Sequence, residues 1–218
     1  ANLTSDLAIE GINYWLKIYN ECSPKDSINY NVLDQATLYY QGKTAFDFNS
    51  GFQISGVAKN SPDLLQYVDC YPIPTIDGHE QKGITTSNQP LVIWKKSKHP
   101  EICEAFIKTL YENEAYINFL HATPVGMLPA IKGIEDTQEY KNDDMIKQFE
   151  HAEQVISSQI PGGTAIGFEH GPSVQAGILT NQHVIEKMFQ DIITNGTDVK
   201  EAAKAAEDEL NSLMEVAQ

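Results

Sequence analysis

Turn-forming residues cut this chain into short segments whose hydrophobic residues recur at either helical or strand spacing, and that alternation points to a mixed α/β architecture. Residues 5–21 carry Leu7, Ile12, Trp15, Leu16 and Tyr19 at helical spacing behind a Ser5 or Asp6 cap, until Ser23-Pro24-Lys25-Asp26 breaks the run. Val32, Leu33, Ala36, Tyr39 and Tyr40 define a second helix over 31–41, with Gly42 just past its end. Thr44-Ala45-Phe46-Asp47-Phe48 alternates as a short strand and runs into the turn Asn49-Ser50-Gly51, with a short helix at 52–58. Strand or extended backbone is expected again over 67–73 and 82–94. The second half is dominated by helices: one opened by Pro100, then 113–121, 142–157, 173–195 and 198–216. The last keeps Ala202, Ala205, Ala206, Leu210 and Leu213 on one side. No repeat or low-complexity tract interrupts the pattern.

The charge narrows the function classes. Thirty Asp and Glu face fifteen basic residues, all of them Lys, for a formal charge of −15. Such a chain repels nucleic acid and anionic lipid, and it lacks the Arg fork that suits bidentate phosphate and carboxylate contacts. No stretch approaches the ~20 consecutive apolar residues of a membrane span. With 41% hydrophobic residues the chain can bury a core. Cys22, Cys70 and Cys103 are odd in number and widely spaced, so they are expected as small buried hydrophobes, not as a disulfide framework or metal ligands.

Catalytic signatures are missing. Adjacent pairs such as His79-Glu80 and Glu169-His170 point apart on regular structure, and no His pair at i, i+4 brackets a Glu, so no metal site is expected. There is no Gly-x-Ser-x-Gly elbow and no phosphate-cradling glycine loop followed by Lys and Ser or Thr. Neither a catalytic residue nor a cofactor is expected. Three turn-rich places do combine rings or neutral hydrogen-bonding groups: Asn49-Ser50-Gly51-Phe52, Thr85-Thr86-Ser87-Asn88-Gln89, and Gly167-Phe168-Glu169-His170-Gly171. A flat apolar face beside neutral donors and acceptors suits a sugar. The same residues also fit ordinary turns with a core Phe, and composition leaves both readings open.

The order of the segments carries a resemblance. The run from Asn31 to Phe52, through Tyr40-Gln41-Gly42-Lys43-Thr44-Ala45-Phe46, is similar to the F-x-x-G-K-x-A-M stretch and G-x-W turn of the family-1 extracellular solute-binding proteins of ABC importers. Tyr71-Pro72-Ile73-Pro74 resembles that family's P-x-P strand, and 83–94 its extended crossing segment. Lys98-His99-Pro100-Glu101 through Leu110-Tyr111 resembles its S-K-x-x-E-A-A helix, and Gly126-Met127-Leu128-Pro129-Ala130 its G-x-L-P-A motif. The tail from Thr197 through Leu210 is similar to its closing helix.

The resemblance implies an α/β fold of the type II periplasmic-binding-protein kind, present here as the C-terminal portion. On that basis 1–94 is a second-lobe α/β segment, 95–135 a helical excursion belonging to the first lobe, and 136–218 the helices returning to the second lobe. It further implies a non-enzymatic, extracytoplasmic receptor, of the periplasm or a cell-surface lipoprotein, that closes on a sugar or oligosaccharide and delivers it to the permease subunits. A polyamine, peptide or metal chelate is the alternative solute, and a carbohydrate-active hydrolase the alternative activity. Ligand contacts carry over onto Asn49, Ser50, Gly51 and Phe52, onto Gln89, and onto Phe168, Glu169 and His170; Ser50-Gly51-Phe52 stands where the family has Gly-Pro-Trp. A lobe without its partner binds weakly, and the face it leaves exposed favours self-association.

Overall fold

The computed structural model describes residues 1–74, 84–165, 171 and 173–216. Among them eleven α-helices follow one another: α1 (Asp6–Cys22), α2 (Val32–Tyr40), α3 (Phe52–Asn60), α4 (Pro100–Leu110), α5 (Asn113–His121), α6 (Gln138–Lys141), α7 (Asp144–Gln148), α8 (Glu150–Gln159), α9 (Val174–Gln182), α10 (Val184–Gln190) and α11 (Val199–Val216). Two compact units result, one of residues 1–31 with 165–218 and one of residues 32–164. None of these helices is long and apolar enough to cross a membrane.

The helix boundaries follow local chemistry. The Ser5 hydroxyl accepts from the Ala8 amide at 3.3 Å and caps α1. Gly42 ends α2 at φ +65°, its amide donating to the Tyr39 carbonyl at 2.9 Å. The expected helix over 142–157 divides instead. Asp143 caps α7 by accepting from the Met145 and Ile146 amides, and Phe149 leaves helical geometry before α8 to sink its ring into the core. The expected helix over 173–195 also divides, at His183 (φ +54°), and finishes in a π-helical turn at Asp191–Asn195.

The strands anticipated in the α/β reading are not formed among the described residues. Residues 44–48 run as irregular chain, with Phe46 87% exposed, and the Gln35 side-chain amide donates to the Asp47 carboxylate. Residues 62–67 wind into a 3₁₀ turn opened by Pro62, and the run that follows contains Pro72 and Pro74, which have no N–H for a ladder. In 84–94 the one backbone pairing is an isolated parallel bridge from Thr85 to Thr164; residues 82–83 lie outside the described set. Alternation makes a segment competent for a sheet, but an extended run with no neighbour alongside gains nothing from its backbone groups. The expected burial of the cysteines also fails. Cys22 is exposed, Cys70 and Cys103 are half-buried, and all three are free thiols.

In the first unit, Ile12 of α1 packs with Val184 and Met188 of α10 and with Ala202, Ala203, Ala206 and Leu210 of α11. The alanines let the helices approach closely, and Leu210 fills the space beyond them at 2% exposure. Trp15 lies against Phe189 with ring centroids 4.2 Å apart. Among its described residues the second unit has two apolar clusters. Tyr116, Ile117, Leu120, Ile134, Tyr140 and Ile146 form one; Ile54, Val125, Phe149 and Ala152 form the other.

Tyr140 is fully buried, and its hydroxyl donates to Glu153 Oε1 at 2.9 Å. Burial pushes the Glu153 carboxyl above its usual range, although the Tyr140 hydroxyl pulls the other way. A carboxyl raised in the folded state holds its proton where the unfolded chain has lost it. Its contribution therefore declines as pH rises from the unfolded value through the folded one. Glu153→Gln keeps an acceptor for Tyr140 without the charge. Its melting temperature should exceed that of the wild type at pH 7, and the difference should vanish near pH 4. A difference that stays constant with pH would show that ionisation of Glu153 is not opposed by the fold.

Candidate functional site

The turn at 49–52 is built by contacts from far along the chain. The Ser50 amide donates to Asn49 Oδ1 at 2.9 Å, and Asn49 and Ser50 are both exposed. Gly51 is buried and opens α3, and Phe52, half-buried, is its first residue. Against them lies the turn 123–127, in which the Gly126 and Met127 amides both donate to the Thr123 carbonyl. The Ser55 hydroxyl donates to the Pro124 carbonyl at 2.6 Å, joining residues 69 apart in sequence.

Two glycines set the separation. A Cβ on Gly51 would stand 2.3 Å from the Val125 carbonyl oxygen, and one on Gly126 would stand 2.6 Å from Phe52 Cα. Between them Val125 adopts φ +65°, a left-handed geometry that a β-branched residue rarely takes, at roughly 1–3 kcal/mol. Its side chain is 1% exposed and packs with Ile54, Phe149 and Ala152, which offsets that strain. The outcome is a ring and two neutral polar side chains held at a helix start by a rigid, buried support.

Asp47, just before the turn, is half-buried. Burial raises its carboxyl above the usual range, while hydrogen bonds from Gln35 and Asn49 oppose that shift. Farther on, Asp69 Oδ1 lies 3.0 Å from His151 Nδ1 of α8, and the Tyr71 ring stands T-shaped to that imidazole. This hydrogen bond holds the Asp69 carboxyl below its ordinary value. Burial pushes the Cys70 thiol up, away from the thiolate form that would make it a nucleophile.

The anticipated site residues fall in different places. Asn49, Ser50, Gly51 and Phe52 form the one turn just described. Gln89 stands exposed in irregular chain beyond the Thr85–Thr164 bridge. Phe168, Glu169 and His170 lie outside the described residues. The 123–127 support was legible only as a motif; nothing in one dimension pairs Gly126 with Phe52. Gln53, next to the ring, was missed altogether: it is 6% exposed, and neither side-chain amide atom has a hydrogen-bond partner.

A separate concavity of about 730 Å³ opens beside α5, α6 and α7, lined by Glu114, Glu139, Asp143 and Asp144 among others. Its lining includes the His121 imidazole but no Phe, Tyr or Trp ring and none of the anticipated residues, and Asp143 there is already committed to capping α7. Among the described residues no three His, Cys, Asp or Glu side chains are grouped to hold a metal ion.

A family model described as bacterial extracellular solute-binding protein matches residues 2–117, just over half of the chain. Seven solved chains match in fold. One is a crystal structure, in complex with zinc, of a protein from Synechococcus sp. MITs9220 described as a candidate oligosaccharide periplasmic-binding protein. It superposes with a TM-score of 0.72 at 14% identity over 99% of this chain and 53% of that one, so this chain spans about half the length of the solved protein. No match was found among curated proteins.

Proposed function

Since the chain belongs to the bacterial extracellular solute-binding protein family, we propose that it acts as the substrate-binding component of an ABC importer and takes a sugar or oligosaccharide outside the cytoplasm. Binding is by closure of two lobes, and the closed form is what the permease meets. The chain contributes no chemistry to its ligand; it holds and delivers it. The observation that carries the carbohydrate reading is the Asn49–Phe52 turn, a half-buried ring beside exposed amide and hydroxyl groups. A pyranose offers C–H faces for such a ring and hydroxyls for such neighbours. The fold likeness to a candidate oligosaccharide-binding protein supports the same reading. Gln89, Phe168, Glu169 and His170 are further proposed contacts, carried over from the family resemblance.

The test is a thermal-shift screen against maltotriose, cellotriose and raffinose, with amino acids, peptides and polyamines alongside. Saturating ligand at ~100 times its Kd adds about 2.7 kcal/mol of stability. Carbohydrate hits are expected at high sugar concentration, in keeping with the weak binding expected of one lobe. Phe52→Ala should then weaken the best of them at least about tenfold, because burying one ring contributes roughly 1.5–3 kcal/mol. The formal charge of −15 favours a second reading, a cationic solute. Hits confined to polyamines, with a large loss in Glu169→Gln and little in Phe52→Ala, would replace the sugar by that solute.

A further inference from the structure

Gln53 is buried to 6% exposure, yet neither Oε1 nor Nε2 has a hydrogen-bond partner. An unmade bond at a buried polar group costs about 1–3 kcal/mol, so a carboxamide with both ends unmet is an expensive residue at that position. Leucine or methionine would fill the space without the penalty.

Its surroundings indicate which way the missing partners lie. Gly56, one turn along α3, lies so close to Tyr40 of α2 that an added Cβ would meet the ring at 2.2 Å. Gln53 shares that face at i, i+3 spacing, so it lies along the seam between α2 and α3. Asp47 is tied to the same seam by Gln35, and its charge is felt by Tyr39 and Tyr40. Asp47 Oδ2 is likewise buried and unpartnered. Two unmet acceptors and one unmet donor thus flank, in sequence, the exposed Asn49-Ser50 edge and the Phe52 ring.

We propose that the Gln53 carboxamide is a specificity-determining element of the ligand site, which turns outward to hydrogen-bond adjacent hydroxyls of a bound carbohydrate. This rests on the reading of the Asn49–Phe52 turn as the carbohydrate edge. A carboxamide presents an acceptor and a donor side by side, and a vicinal diol presents the complement: one hydroxyl donates to Oε1 while its neighbour accepts from Nε2. Three rotatable bonds between Cα and the amide carry it from the seam to the turn. Asp47 Oδ2 accepts from a further hydroxyl at the same edge.

The experiment follows the side-chain NH₂ signal of Gln53 in the ¹⁵N-labelled chain during titration with maltotriose and with raffinose, the signal being identified by its loss in Gln53→Leu. Saturable movement of that signal is expected with at least one sugar. Gln53→Leu should bind that sugar at least tenfold more weakly and melt no lower than the wild type. A purely structural glutamine gives the opposite pattern: a lower melting temperature with unchanged affinity. If the signal stays still, or Gln53→Leu binds as the wild type does, while Phe52→Ala weakens binding, this inference falls and the carbohydrate reading stands. If the wild-type chain responds to neither sugar, that reading falls and takes this inference with it. Should Gln53→Leu fail to fold, Gln53→Met identifies the signal in the same way and supplies the affinity comparison.

Discussion

Leu210→Ala is expected to destabilise the unit formed by residues 1–31 and 165–218 by about 2–5 kcal/mol, the range for emptying a well-packed leucine site. Leu210 is 2% exposed and belongs to the cluster that joins Ile12, Val184 and Met188. The other buried α11 members of that cluster are Ala202, Ala203 and Ala206, whose methyl groups cannot extend to fill the void. Chemical denaturation followed by circular dichroism measures the loss. A change under 1 kcal/mol would mean that the alanine face of α11 is not closely packed. Where the two units unfold separately, a biphasic curve assigns the early transition to this one.

Gly126→Ala should have the largest effect on the ligand turn. The new methyl group would stand 2.6 Å from Phe52 Cα and 2.8 Å from Thr123 Cγ2. The first of these is backbone and cannot rotate away. Overpacking of this kind costs roughly 1–3 kcal/mol, and relief requires the two turns to separate, which displaces the Phe52 ring. Gly51→Ala meets the Val125 carbonyl oxygen from the other side and should behave alike. Gly11→Ala is the control: it lies within α1 with nothing inside 4 Å of its added Cβ, so it should raise stability by up to about 1 kcal/mol. Parallel denaturation and sugar titration of the three variants check this. If Gly126→Ala folds as stably as the wild type and binds the same sugar equally well, the close approach of the two turns is not what positions the ring.

How much of this was legible in one dimension depended on the range of the interaction involved. The cap of α1 at Ser5 and the stop at Gly42 were readable because each involves atoms only a few residues apart. The apolar face of α11 was readable through Ala202, Ala206 and Leu210 because helical periodicity is local, but Ala205 is exposed and Ala203, not expected there, is buried in its place. The strands were over-read: Phe46 and Phe48 alternate as a strand does, but alternation says nothing of whether a neighbouring chain arrives to pair with it. The division of 142–157 at Phe149 was missed because leaving helical geometry there is repaid by burying the ring beside Ile54 and Val125, residues distant in sequence. For the candidate site, the Asn49–Phe52 turn was visible as a motif, whereas the unmet amide of Gln53 was not, since a glutamine's burial is unknowable before its surroundings exist.

What the sequence by itself determined is the chain's helical punctuation, its acidity without arginine, and the order of motifs that matches the solute-binding family. These depend on short-range backbone preference, on charge and on linear order, none of which needs a folded neighbour. What only the tertiary structure decided is why Gly51 and Gly126 are glycines, why Val125 tolerates a left-handed backbone, and how Phe52 is held. Each of those is a contact between turns some seventy residues apart in sequence, and excluded volume between distant segments exists only once the chain has closed on itself.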